Sequence, residues 1–163
     1  MALHIALVEP EIPANTGNIA RTCVATGTHL HLVGKLGFSL DDRYLKRAGL
    51  DYWQYLELNL WDSLEELTAA HHYDGIYYAS TKTKQVYSDI NYPDNSLIVF
   101  GKETAGLPES LLIAHPERGI RIPMISDIRS LNLSNAVAIC VYEYWRQANF
   151  GEMATNSNYL DNL

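Results

Sequence analysis

Three short stretches concentrate the residue types that bind and catalyse. The first, "NTGNIAR" (residues 15–21), sets Asn15 and Asn18 about a glycine and ends on Arg21, one helical turn beyond Asn18 on the same face. Arg21 stands among small and apolar neighbours in "IARTCVA", where an unpaired charge would be costly to bury. Its expected counterpart is either a carboxylate, with Glu103 available, or a phosphate. In "FGKETAGLP" (100–108), Gly101 and Gly106 permit close approach of the main chain to a ligand, and Pro108 suits the opening turn of a helix. The third stretch, "RSLNLS" (129–134), places Arg129, Ser130, Asn132 and Ser134 directly before an apolar helix. One side-chain cap satisfies a helix N-terminus, so the surplus hydroxyls and amides predict a pocket that wraps a ligand.

The chemistry these stretches exclude is equally informative. Neither GxxxxGK[ST] nor GxGxxG spacing occurs in "FGKETAGLP" or in the first strand-to-helix turn, and Glu103 would repel phosphates. A ligand with a cationic or amide-rich part fits better. His71 and His72 are adjacent, without the i, i+4 spacing of a zinc helix, so no metal is expected. The two cysteines, Cys23 and Cys140, lie in apolar helical patterns and read as buried thiols. A net charge of −7 argues against nucleic acid when taken as a sum. Local clusters run the other way: Arg43, Lys46 and Arg47; Lys82 and Lys84; Arg118, Arg121 and Arg129.

Elements of the right kind are available to position the three stretches. With 163 residues, 47 % apolar and 19 % charged, the chain fits one domain over 1–150 followed by a polar tail over 151–163. No run approaches the roughly 20 apolar residues of a membrane span, and the start of the chain does not resemble a signal peptide, which predicts a cytoplasmic protein. "LHIALVE", "HLHLVG", "GIYYAST", "SLIVFG" and "GIRIPM" read as strands. Helices are expected at "NIARTCVAT", closed by Gly27, at "LDDRYLKRAG", at "DSLEELTAAHHY" with a capping box from Ser63 to Glu66, at "LPESLLIAH", and from about Leu133 to Phe150. Alternation of this kind predicts an α/β fold with a mostly parallel sheet and helices on both faces. Ligands then collect at the carboxyl ends of the strands, where all three stretches fall.

Together these motifs resemble the SPOUT methyltransferases, the trefoil-knotted S-adenosylmethionine enzymes, in their RNA ribose 2′-O-methylating branch. The likeness runs in order from "EPEIPANTGNIAR" through "LGF", "AGLDYW", "FGKETAGLP" and "IRIPM" to "RSLNLSNAVAICVYEYWRQ". It is strongest to the small single-domain tRNA (cytidine/uridine-34) 2′-O-methyltransferases, which lack an added RNA-binding domain. The resemblance implies a C-terminal trefoil knot, which general rules of chain connection would not predict. It also implies cofactor contacts at Gly101, Ile122, Ser130 and Ser80, with Glu103, Met124 and Leu131 lining the same place, and a catalytic role for Arg21.

The implied reaction is methyl transfer to the ribose 2′-hydroxyl of the wobble nucleotide in the tRNA anticodon stem-loop. Asn15, Asn18, Arg21, Arg129, Asn132 and Ser134 are the candidates to contact RNA. A guanidinium stays protonated in proteins, so Arg21 is expected to clamp phosphate and stabilise charge on the 2′-oxygen, with base action left open. The small basic area predicts a homodimer, with Tyr142 and Trp145 of the last helix as interface candidates or as ordinary core. Rival readings are a non-catalytic RNA-binding module with a remnant pocket, methylation of another RNA, and a nucleotide-binding hydrolase.

Overall fold

The computed structural model describes residues 1–41, 43, 47, 52, 55–125 and 129–160. Strand β1 (Ala2–Val8) lies inside the sheet, with both of its faces covered. Leu3, Ile5 and Leu7 point into one core cluster, and Ala6 enters the other. Helix α1 (Pro13–Thr26) follows, then β2 (His29–Val33), β3 (Leu58–Trp61), α2 (Leu64–Ala70), β4 (Gly75–Ala79), β5 (Gln85–Val86), β6 (Asn95–Phe100), α3 (Glu109–Ala114), β7 (Gly119–Arg121) and α4 (Leu133–Gln147). The seven strands form one sheet in the order β3-β2-β1-β6-β4-β7-β5, and every pairing between them is parallel.

The period-two alternation of the strands sorts the core into two layers. On one face, Ile98 and Phe100 of β6 meet Ile19, Ala20 and Cys23 of α1 and Val137, Cys140, Val141 and Tyr144 of α4. On the other, Leu97 and Val99 meet Leu67 of α2 and Leu112 of α3. Helices α1 and α4 also pack on one another. The last helix returns to the first strand: the Tyr144 hydroxyl donates to the Asp94 carbonyl (2.6 Å), beside the start of β1, and the Trp145 indole donates to Thr28 Oγ1 (3.2 Å).

Several boundaries differ from the sequence expectation. Helix α1 begins at Pro13, five residues before the expected start at Asn18, since proline at the first helical position loses no hydrogen bond. It stops at Gly27, whose φ of 63° is the left-handed conformation glycine favours. Helix α4 ends at Gln147, because Asn149 and Phe150 turn to φ of 56° and 60° and fold the chain back on Trp145. The tail is therefore tied at its start, with Phe150 and Met153 packed against the core. Strand β7 ends at Arg121, leaving Ile122–Met124 as loop. Strands β3 and β5 were not expected; both are short edge strands whose pairing with β2 and β7 fixes what four and two residues could not fix alone. The expected helix "LDDRYLKRAG" falls largely outside the described residues.

Candidate active site

The carboxyl ends of β4, β6 and β7 open into a cavity of about 930 Å³, closed on its far side by the start of α4. Phe100, Ile120, Ile122, Leu133 and Ala136 give it an apolar floor. The loops that leave the strands give it a polar rim. Seven residues singled out from sequence line it together: Ser80, Gly101, Glu103, Ile122, Met124, Ser130 and Leu131. Asn15, Arg129 and Asn132 join them, whereas Arg21, Asn18 and Ser134 do not.

Gly101 is required by its own loop as well as by its place on the cavity wall. A Cβ there would lie 2.0 Å from the Gly106 carbonyl carbon and 2.2 Å from the Leu107 nitrogen, so the two ends of the loop can meet only over a glycine. Gly106, at φ 69°, donates its amide to the Lys102 carbonyl (2.8 Å) and completes the turn.

Glu103 ties this loop to α1. Ile12, at the N-cap of α1, offers no side-chain cap, and the Glu103 carboxylate sits just ahead of the helix. It accepts from the amides of Glu11 (2.8 Å) and Ile12 (3.0 Å) and from Asn15 Nδ2 (3.2 Å). An anion at a helix N-terminus also meets the positive end of the helix dipole. Glu11 replies in kind, accepting from the amide and hydroxyl of Thr104 (3.1 and 2.8 Å). Lys102 completes the seam with an ion pair to Glu9 (2.8 Å).

Asn15 carries the tie onward to the third loop. Its Oδ1 accepts from Asn132 Nδ2 (3.0 Å), and Asn132 Oδ1 in turn accepts from the Ser134 amide (2.9 Å) and hydroxyl (2.6 Å) as the cap of α4. The surplus of polar residues before α4 therefore divides. Asn132 and Ser134 build the cap, and Arg129 and Ser130 remain exposed at the rim. Asn15 is 6 % exposed with both ends of its amide engaged by the protein, so it joins the two loops.

Arg21 and Glu103 do not pair. Arg21 lies six residues beyond Asn15 on α1, about 9 Å further along the axis and turned away from the cavity. It is exposed, so no burial cost has to be met. Among the described residues it meets Tyr52: one guanidinium nitrogen donates to the phenol oxygen (3.3 Å), and the guanidinium carbon lies 4.9 Å from the ring centroid. Trp145 is buried in the core through its bond to Thr28, whereas Tyr142 is 49 % exposed.

Lys82, Tyr87 and Arg121 also line the cavity; the sequence marked Lys82 and Arg121 only as members of basic clusters, and Tyr87 not at all. Lys82 closes one wall through an ion pair with Glu109 (2.5 Å), which holds that carboxyl below the usual carboxylate range. Tyr87 follows a two-residue strand that pairing with β7 alone defines, so no local signal marked it. Cys140 faces the cavity floor, but burial pushes its thiol up to about 12, as it does for Cys23, so both stay protonated and unreactive. No metal-holding group of His, Cys, Asp or Glu occurs among the described residues, and no helix of theirs is long and apolar enough to cross a membrane.

Comparison with known proteins agrees with this geometry. The tRNA (cytidine(34)-2′-O)-methyltransferase of Escherichia coli K12 is 46 % identical over 149 residues, covering 91 % of this chain and 95 % of its own. A solved structure described as "Structural insights into the 2-OH methylation of C/U34 on tRNA" superposes with a TM-score of 0.84 at 40 % identity, covering 91 % and 97 % of the two chains. The SpoU methyltransferase AviRb from Streptomyces viridochromogenes, solved in complex with the cofactor AdoMet, gives a TM-score of 0.80 at 25 % identity over 92 % of this chain and 62 % of its own. The description of the SpoU rRNA Methylase family matches residues 2–142, from the first strand into the last helix, and the chain belongs to that family.

Proposed function

We propose that this chain methylates the ribose 2′-hydroxyl of the wobble nucleotide, position 34, of tRNA, with S-adenosylmethionine as methyl donor. The observation that carries the reading is the cavity itself. It gathers Ser80, Gly101, Glu103, Ile122, Met124, Ser130 and Leu131 from loops up to 51 residues apart, with an apolar floor wide enough for a ring and a rim of main-chain and hydroxyl groups. These groups fit the cofactor's adenine, ribose and amino-acid parts. When bound, S-adenosylmethionine supplies an already activated methyl group, so the protein has to supply proximity, alignment and help with the hydroxyl proton.

Arg21 acts on the substrate side. As a permanent cation it clamps a phosphate and stabilises negative charge developing on the 2′-oxygen. Because it faces away from the cavity of its own chain, a homodimer is the economical assembly: a second copy brings its Arg21 to the first copy's cavity and doubles the basic area of a chain whose net charge is −7. Exposed Tyr142 is the interface residue in this reading. Asn18 and Arg129, both exposed, flank the path of the anticodon stem-loop. The trefoil threading of the C-terminal segment and a cytoplasmic location, where tRNA is processed, belong to the same proposal.

Single-turnover transfer of labelled methyl from S-adenosylmethionine to a tRNA transcript tests it. Transfer is expected with a ribose at position 34 and is lost when that one residue is 2′-deoxy. Equal transfer to both transcripts would overturn the assignment.

A further inference from the structure

Arg21 projects from a helix whose backbone is fixed at both ends, by Glu103 over its first turn and by Gly27 beyond its last. Its side chain is another matter. An exposed arginine has about 2 kcal/mol of rotamer freedom to lose before its planar fork can serve one geometry. The side chain that restricts it comes from far along the chain. Tyr52, 31 residues away, meets the guanidinium with both of its recognition features: the hydroxyl accepts from a terminal nitrogen at 3.3 Å, and the ring lies under the central carbon at 4.9 Å. A hydroxyl contact alone would leave the guanidinium free to rotate, and ring stacking alone would leave it free to slide. Together they fix both the plane and the direction of the fork. One donor meets the phenol, and the other N–H groups stay directed outward.

We propose that Tyr52 is a positioning residue for Arg21, holding the guanidinium in the presentation used on substrate. The proposal rests on the reading of Arg21 as the substrate-side cation. It gives the tyrosine of "AGLDYW" a role that its place in the sequence did not suggest. It also explains why an arginine and not a lysine stands at position 21: an ammonium has no plane for the ring to orient.

The test is a mutant cycle read by single-turnover methyl transfer with saturating cofactor, on Tyr52→Ala, Tyr52→Phe, Arg21→Ala and the Arg21→Ala/Tyr52→Ala pair. Tyr52→Ala is expected to slow transfer about tenfold, the combined effect of one exposed cation–π contact and one hydrogen bond to a charged group. S-adenosylmethionine affinity by calorimetry should stay unchanged. Tyr52→Phe, which keeps the ring, should recover to within about threefold of wild type. On the Arg21→Ala background, Tyr52→Ala should add no further loss, since a positioning residue has nothing left to position. If Tyr52→Ala loses native circular dichroism, Tyr52→Leu replaces it, filling the space without a π face. A full additional loss on the Arg21→Ala background would overturn the proposal and assign Tyr52 to the substrate. Wild-type transfer by Tyr52→Ala beside a damaged Arg21→Ala would remove Tyr52 alone. Wild-type transfer by Arg21→Ala would remove the underlying reading of Arg21, and this proposal with it.

Discussion

The two halves of α1 treat polar residues in opposite ways. Near its start, Asn15 is buried and bonded at both ends of its amide, and the Glu103 carboxylate joins the helix to the next loop. Farther along, Arg21 is exposed and leans on one tyrosine. A residue that holds the cavity together has its polar atoms satisfied inside the protein. A residue that acts on a substrate keeps donors free. By that criterion the first half of α1 builds the cavity, and the proposed function gives the second half to the RNA.

Substitutions at the two halves should therefore fail differently. Arg21→Ala should lower single-turnover transfer by about 100-fold to 1,000-fold while S-adenosylmethionine affinity and thermal stability stay at wild-type values. Arg21→Lys, keeping the charge without the fork, should retain part of the rate. Gly101→Ala forces a methyl group into the backbone of Gly106 and Leu107, so the loop must open. Urea unfolding should report a loss of about 3 kcal/mol, with cofactor binding by calorimetry weakened in step. Glu103→Ala strands the donors at Glu11, Ile12 and Asn15 and should cost about 2 kcal/mol in the same experiment, again with weaker cofactor binding. Either of the last two variants behaving like Arg21→Ala, slow but stable and fully able to bind cofactor, would break the comparison.

Tyr142→Asp probes the assembly that would bring Arg21 to a cavity. It should shift sedimentation towards monomer and slow transfer about tenfold, because a charge at an apolar contact is costly unless paired. A monomeric wild type at micromolar concentration would contradict the homodimer.

The smallest effect lies outside the cavity altogether. Trp61 donates to His31 Nδ1 (3.0 Å), which leaves His31 Nε2 to donate to His4 Nδ1 (3.0 Å), and this chain of bonds requires both rings neutral. Burial, reinforced by neighbouring histidines, lowers His31 to about 3 and His4 to about 4. An unfolded histidine takes its proton near pH 6.5. As pH falls from about 6.5 towards 4, the unfolded chain gains protons that the folded chain refuses, and stability falls. Urea midpoints across that range should drop for wild type and drop less steeply for His4→Phe; parallel curves would remove the histidine pair as the cause.

Which parts of this were legible in the sequence follows from how local their causes are. The central strands and the helix ends at Gly27 and Ser63 were readable because alternation, a left-handed glycine and a capping box each act within a few residues. Strands β3 and β5 were not, since a strand of two to four residues takes its identity from its neighbour. Ser80, Ile122, Met124 and Leu131 were named through the family resemblance, while the loops that line the cavity were legible because they leave recognisable strands. Their interactions were not. Glu103 was one of two counterparts expected for Arg21, a phosphate being the other, and it instead holds the amides just ahead of α1; Gly101 was expected to admit a ligand and also lets its own loop close. The role of Glu103 depends on contacts between segments about 90 residues apart, which no spacing rule encodes; that of Gly101 depends on how its own loop closes on Gly106 and Leu107. The proposed knot is a further case, since threading leaves no mark on periodicity.

The central claim is methylation at one ribose, and nucleoside mapping of tRNA from cells lacking this protein addresses it most directly. The account predicts that 2′-O-methylation at position 34 disappears from a subset of tRNAs and returns with the wild-type gene but not with Arg21→Ala. Unchanged methylation at position 34, or loss confined to another site or another RNA, would contradict it.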